Sequence, residues 1–197
     1  MILESFVPLI LKIREETLMK LRMKKKCLPV VLLVLGAGLL QAQTPAANEA
    51  AAIGATVKSK ITIGEGYVTG TESVEARMTV LDVLRGEKAW ELVKANPSNK
   101  PPEAGMEFVA VRIRIEYGDK GSGDPSYGIR AEQFAAVSEK GRQYDRPAVS
   151  QPNPELSGRL YPGDSLEGWI ALLVSVDDAK PLMSFGNNYY RIWFKLY

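Results

Sequence analysis

The chain has 197 residues, a formal charge of +2, no histidine and one cysteine, Cys27. These counts exclude a Ser-His-Asp triad, a Cys-His pair, a histidine general base, zinc sites built from Cys and His, iron–sulfur clusters and histidine-ligated haem, and removal of Cys27 would exclude cysteine-ligated haem as well. Neither the strong basic field of a nucleic-acid binder nor a disulfide framework is present.

Residues 1–22, MILESFVPLILKIREETLMKLR, mix apolar residues with Glu4, Glu15 and Glu16. That is not the composition of an ordinary signal sequence. The segment is read either as a start placed upstream of the true one, Met19 or Met23, or as an extended charged n-region. Residues 23–42 are read as a signal peptide. Lys24, Lys25 and Lys26 precede an apolar run of 13 residues from Leu28 to Leu40, which closes on Leu40-Gln41-Ala42. A spanning helix needs about 20 residues, so this segment is expected to be an export address removed after Ala42, leaving Gln43 first. No membrane span is then expected in the mature form. Cys27 precedes the apolar run and follows lysines, which is not the place of a lipobox cysteine.

Removal of residues 1–42 takes away the only cysteine, seven basic and three acidic side chains. That leaves 155 residues with 18 basic and 20 acidic ones. A chain of that length without disulfides must stand on one hydrophobic core. Residues 43–55, QTPAANEAAAIGA, are small and Ala-rich and are expected to form a flexible linker. The domain is assigned to residues 56–197.

From Thr56 the pattern becomes short alternating runs broken by Gly, Pro and Asn. Val57, Ser59, Ile61 and Ile63 alternate with Lys58, Lys60 and Thr62, and Val74 to Leu84 form a second run. Glu87 to Lys94 give the one helical signal, with Trp90 and Val93 on one side. Glu107 to Tyr117 form the clearest strand: Val109, Val111, Ile113, Ile115 and Tyr117 share one face, and Phe108, Ala110, Arg112, Arg114 and Glu116 the other. Phe134 to Val137 and Arg142 to Tyr144 flank a hairpin in which Gly141 supplies positive φ. Leu166 to Val176 are apolar on both faces, which predicts a central strand. Leu182 to Phe185 and Tyr189 to Leu196 flank a turn at Gly186-Asn187-Asn188. Asn96 to Glu103 and Pro147 to Glu155 read as long loops. Seven or eight such strands predict an all-β, antiparallel β-sandwich.

Three segments in this order carry a resemblance: Ala104-Gly105-Met106-Glu107-Phe108 entering the long strand, Gly141-Arg142-Gln143-Tyr144 in a hairpin, and Leu160-Tyr161-Pro162-Gly163-Asp164-Ser165-Leu166-Glu167-Gly168-Trp169 before an apolar strand and Pro181-Leu182. Over about residues 74–197 the chain resembles the bacterial immunoglobulin-like domains known as telokin-like or immunoprotective extracellular domains. The resemblance implies an exported immunoglobulin-like sandwich and supplies no catalytic residues. Pro162-Gly163 suits a tight turn, and Gly168 a close backbone approach.

Several residues are candidates for function. Tyr189, Arg191, Trp193, Lys195 and Tyr197 share the outer face of the last strand, while Tyr190, Ile192, Phe194 and Leu196 face the core. Aromatics interleaved with cations suit a protein or glycan partner through stacking and cation–π contacts. Arg112 and Arg114 join them if their strand is a neighbour. Asp119 and Asp124, in a glycine-rich loop, are the weak calcium candidates; the terminal bidentate Glu of an EF-hand is missing. Gly64 to Gly70 read as a turn rather than a phosphate loop, because a strand follows. Asp177-Asp178 follow a strand directly and read as a turn. The expected function is a non-catalytic binding module, periplasmic or secreted, whose partner is an envelope or extracellular protein or glycan. The alternatives are a structural subunit of an envelope assembly, or a His-free, carboxylate-based hydrolase using Asp119, Asp124, Asp177 or Asp178, with or without calcium.

Overall fold

Two-residue alternation builds β3 (Met106–Tyr117), whose Val109, Val111, Ile113, Ile115 and Tyr117 are all buried on one face. The computed structural model describes residues 49–63, 72–118, 126–186 and 191–197, all within one compact unit, Gln41–Tyr197. Around β3 lie β2 (Glu72–Arg85) on one side and β7 (Ser165–Ser175) on the other, with β1 (Thr56–Ile63) beyond β2. The order β1-β2-β3-β7 is antiparallel throughout. A register shift between Val80 and Asp82 bends β2 against β3.

A second, three-stranded sheet runs β5 (Phe134–Val137), β8 (Leu182–Gly186), β9 (Arg191–Lys195). A short pair, β4 (Tyr127–Ile129) with β6 (Gly158–Leu160), closes one side. One core joins the sheets. Met78, Val80, Ile113 and Ile115 from the large sheet meet Phe134, Met183, Phe185, Ile192 and Phe194 from the small one. The fold is an antiparallel β-sandwich in which the four-stranded sheet packs on the three-stranded one. It has nine strands among the described residues, against the seven or eight expected: the short β4–β6 pair carries little hydrophobic signal, and Arg142 to Tyr144 make only an isolated bridge, Val137 to Gln143, instead of a strand.

The predicted helix is α1 (Glu87–Val93). It lies on the outer face of the large sheet, where Ala89 and Val93 pack on Phe108, Ala110 and Ala171, and Trp90 stacks on Phe108 at 5.8 Å. This second core corrects one expectation. β7 is apolar on both faces, yet it is the last strand of its sheet rather than a central one. One face meets the sandwich core; the other meets the layer under α1.

The chain closes most of its own edges. Along β7, Leu156 N–H donates to the Trp169 carbonyl (3.0 Å), Trp169 N–H to Pro154 (2.7 Å), and Ala171 N–H to the Gln151 side chain (2.6 Å). Along β5, Tyr144 N–H donates to Ala136 (2.9 Å) after the Gly141 turn, where φ is 80°. Along β9, Ala51 N–H donates to Trp193 and Lys195 N–H to Ala51, both at 2.8 Å. Residues 50–55, expected to lie in a linker, are therefore paired in part, and Ala50 is buried. No helix among the described residues is long and apolar enough to cross a membrane.

Candidate functional site

β9 divides its side chains cleanly. Ile192, Phe194 and Leu196 enter the core. Arg191 is exposed, Trp193 and Lys195 are half-buried, and Tyr197 is 48% exposed on the opposite side. The Arg191 guanidinium lies 5.8 Å from the Trp193 ring centroid, and Lys195 Nζ 5.9 Å from that of Tyr197. Each cation–π contact at such an exposed site contributes only about 0.5–1 kcal/mol, so either cation can turn to a partner's carboxylate at little cost. Across the ladder, Ser184 stands opposite Trp193 and Leu182 opposite Lys195, both buried and uncharged. Beside Tyr197 a shallow groove of about 480 Å³ is lined by Ile53, Val83, Leu84, Lys88 and Leu196. Tyr189 lies outside the described residues.

Arg112 and Arg114 are placed elsewhere. Their strand β3 belongs to the other sheet, so β9 is not a neighbour. Both arginines hold Glu167 of β7: Arg112 at 2.5 Å and Arg114 at 2.7 Å. The hydrogen bonds from Arg114, with the nearby Arg112 charge, lower the Glu167 carboxyl below its ordinary value despite some desolvation. A lowered carboxylate stabilises the fold above the unfolded value of 4.5 and loses that contribution as pH falls through the folded value. Carbon-detected NMR titration should therefore place the Glu167 midpoint below that of free glutamate, and Arg114→Ala should move it back up. An unchanged midpoint in the variant would contradict the pairing.

A polar network absent from the sequence reading ties four segments together. Arg85 reaches Glu107 at 2.5 Å and the Asp178 carbonyl at 2.8 Å. The Tyr144 hydroxyl donates to Asp178 Oδ2 at 2.7 Å. Burial first, and the bond to Asp178 second, push the Tyr144 phenol up to about 12 from 10.0. A raised phenol contributes stability below pH 10 that is lost as pH rises towards 12. Alkaline difference absorbance should show a tyrosine step near pH 12 that Tyr144→Phe removes. A variant that keeps that step would contradict the assignment. Asp178 is held by Tyr144 and also accepts from Lys180 N–H, while Asp177 is exposed on the turn after β7. Sequence could not reveal this network, because Arg85 and Asp178 stand 93 positions apart.

A polar cleft of about 500 Å³ lies where Glu75, Arg77, Glu116 and Asp164 converge. No group of three or more acidic, Cys or His side chains among the described residues could hold a metal ion. The calcium candidates Asp119 and Asp124, and the Gly64–Gly70 turn, lie outside the described residues.

No family model matches the chain, and no curated protein matches it. Two solved structures resemble it. The secreted protein MPT63 of Mycobacterium tuberculosis is 13% identical, with a TM-score of 0.48 over 74% of this chain and 95% of its own. A Bacillus subtilis protein (ycdA), provisionally assigned as a lipoprotein, is 11% identical, with a TM-score of 0.45 over 70% of this chain. The match spans only 37% of that second protein.

Proposed function

We propose that this chain is an exported, non-catalytic binding module of the cell envelope or extracellular space, and that it holds a protein or glycan on the outer face of β9. The observation that carries this reading is the row Arg191, Trp193, Lys195 and Tyr197, in which each cation rests over an aromatic ring. Aromatic side chains offer wide contact area at low entropy cost, and Trp, Tyr and Arg are the residue types enriched at binding hot spots. The groove beside Tyr197, with Ile53 40% exposed on its wall, extends the surface with apolar area. Arg112 and Arg114 are left out of the contact surface, since Glu167 engages both in the other sheet.

Export rests on residues 23–42: a lysine-rich start, a 13-residue apolar run and a small-residue end. Membership of the telokin-like domains rests on the three segments that end at Trp169 and belongs to the same proposal. So does weak calcium binding at Asp119 and Asp124, which rests on loop composition alone.

The test uses the protein as its cell exports it, immobilised and exposed to envelope extract. Arg191→Ala with Trp193→Ala should weaken capture of its partner about 30-fold or more, the loss expected when a central hot spot is truncated. Both side chains lie outside the core, so circular dichroism should not change. Unchanged capture by the double variant would sink the reading.

A further inference from the structure

The two sheets have four outer edges, and among the described residues the chain closes three of them. The strap through Pro154 and Leu156 closes β7, the return through Gln143 and Tyr144 closes β5, and Ala51 closes β9. The fourth, β1, is eight residues long and bonded only to β2 among the described residues. An open edge of that length presents a row of unpaired N–H and C=O groups to any extended chain.

We propose that β1 is a strand-addition site for an extended segment of another protein in which carboxylate and apolar residues alternate. The charge on the strand selects this occupant. Thr56, Lys58 and Lys60 are exposed on the outer face, and neither lysine has an ion pair among the described residues. Lys58 stands opposite Arg77, whose own contacts are Glu75 at 3.7 Å and Glu116 at 4.0 Å. Lys60 stands opposite Glu75, so among the described residues two carboxylates, Glu75 and Glu116, face three cations at this edge. A second copy of β1 pairing antiparallel with the first would bring its lysines against these lysines, which is unfavourable across strands. An acidic strand meets them with opposite charge. On the other face, half-buried Val57 packs against the core, so the incoming strand's alternate residues meet apolar surface there. Main-chain pairing supplies affinity and the alternating side chains supply selection.

The probe is a fluorescein-labelled peptide alternating glutamate with valine, compared with one alternating lysine with valine. Anisotropy titrations on the protein as its cell produces it should show at least tenfold tighter binding of the acidic peptide. Lys58→Glu with Lys60→Glu should invert that preference. N-methylation of alternate amides along one edge of the acidic peptide should abolish binding, and hydrogen exchange at residues 56–60 should slow only when the unmodified peptide is present. The methylation arm needs no variant, so it stands even if the charge reversal perturbs folding. Equal binding of the methylated peptide would show charge attraction without strand pairing and overturn the proposal. So would equal binding of the two peptides, or a concentration-dependent dimer that protects residues 56–60 without any peptide.

Discussion

Gly168→Ala should lower the stability of the sandwich by about 3 kcal/mol or more, read as a drop in the urea midpoint without a change in slope. A Cβ at this position would stand 2.5 Å from Leu156 N and 2.6 Å from the carbonyl carbon and oxygen of Glu155. All three are backbone atoms, so no flexible side-chain end can swing away. The strap itself must retreat. That breaks the bonds from Leu156 N–H to Trp169 and from Trp169 N–H to Pro154, and pulls the fully buried Leu156 from the core. Gly128→Ala is the control: a Cβ there meets nothing within 4 Å, and the midpoint should barely move. Equal effects of the two substitutions would mean that the strap does not sit tightly on β7.

Phe185→Ala should cost about 3–5 kcal/mol, the range for deleting a buried aromatic side chain whose site cannot collapse. Phe185 is fully buried in β8 and meets Phe134 of β5 at 4.9 Å between ring centroids, tilted by 42°. Both rings point from the small sheet to the large one, so their loss loosens the join between the layers. Phe185→Leu, which keeps most of the volume, should recover more than half of the loss in a thermal melt. If the alanine variant melts within a few degrees of the parent, the two sheets do not depend on this pair.

Much of the fold was legible because alternation at period two reports burial directly. The inward sets of β3 and of the last strand follow from it at every described position: Val109, Val111, Ile113, Ile115 and Tyr117 in one, Ile192, Phe194 and Leu196 in the other, while Tyr190 lies outside the described residues. Gly168 was legible as a close backbone approach, and Leu156 is the backbone that arrives. The order of strands was not legible, because an apolar face does not state what covers it. β7 reads as central in sequence, but α1 covers the face that a further sheet layer would have covered. The same limit separated Arg112 and Arg114 from β9, since sheet membership is fixed by pairings dozens of residues apart. The alanine-rich stretch before Thr56 looked like tether because its hold on β9 uses backbone groups at Ala51 and no distinctive side chain. The Tyr144–Asp178–Arg85–Glu107 network escaped notice for a related reason, its members being common turn and strand-end residues in four distant segments.

The most direct test of binding on β9 is site-specific crosslinking inside the producing cell. A photoreactive benzoyl side chain replaces Tyr197, which is 48% exposed at the end of the aromatic row, and separately Val176, 52% exposed at the end of β7. Irradiated envelopes are then read by mass spectrometry. One dominant protein or glycan attached at position 197 and absent at position 176 is the expected result. The same products at both positions, or none at 197, would contradict the assignment of β9 as the contact surface.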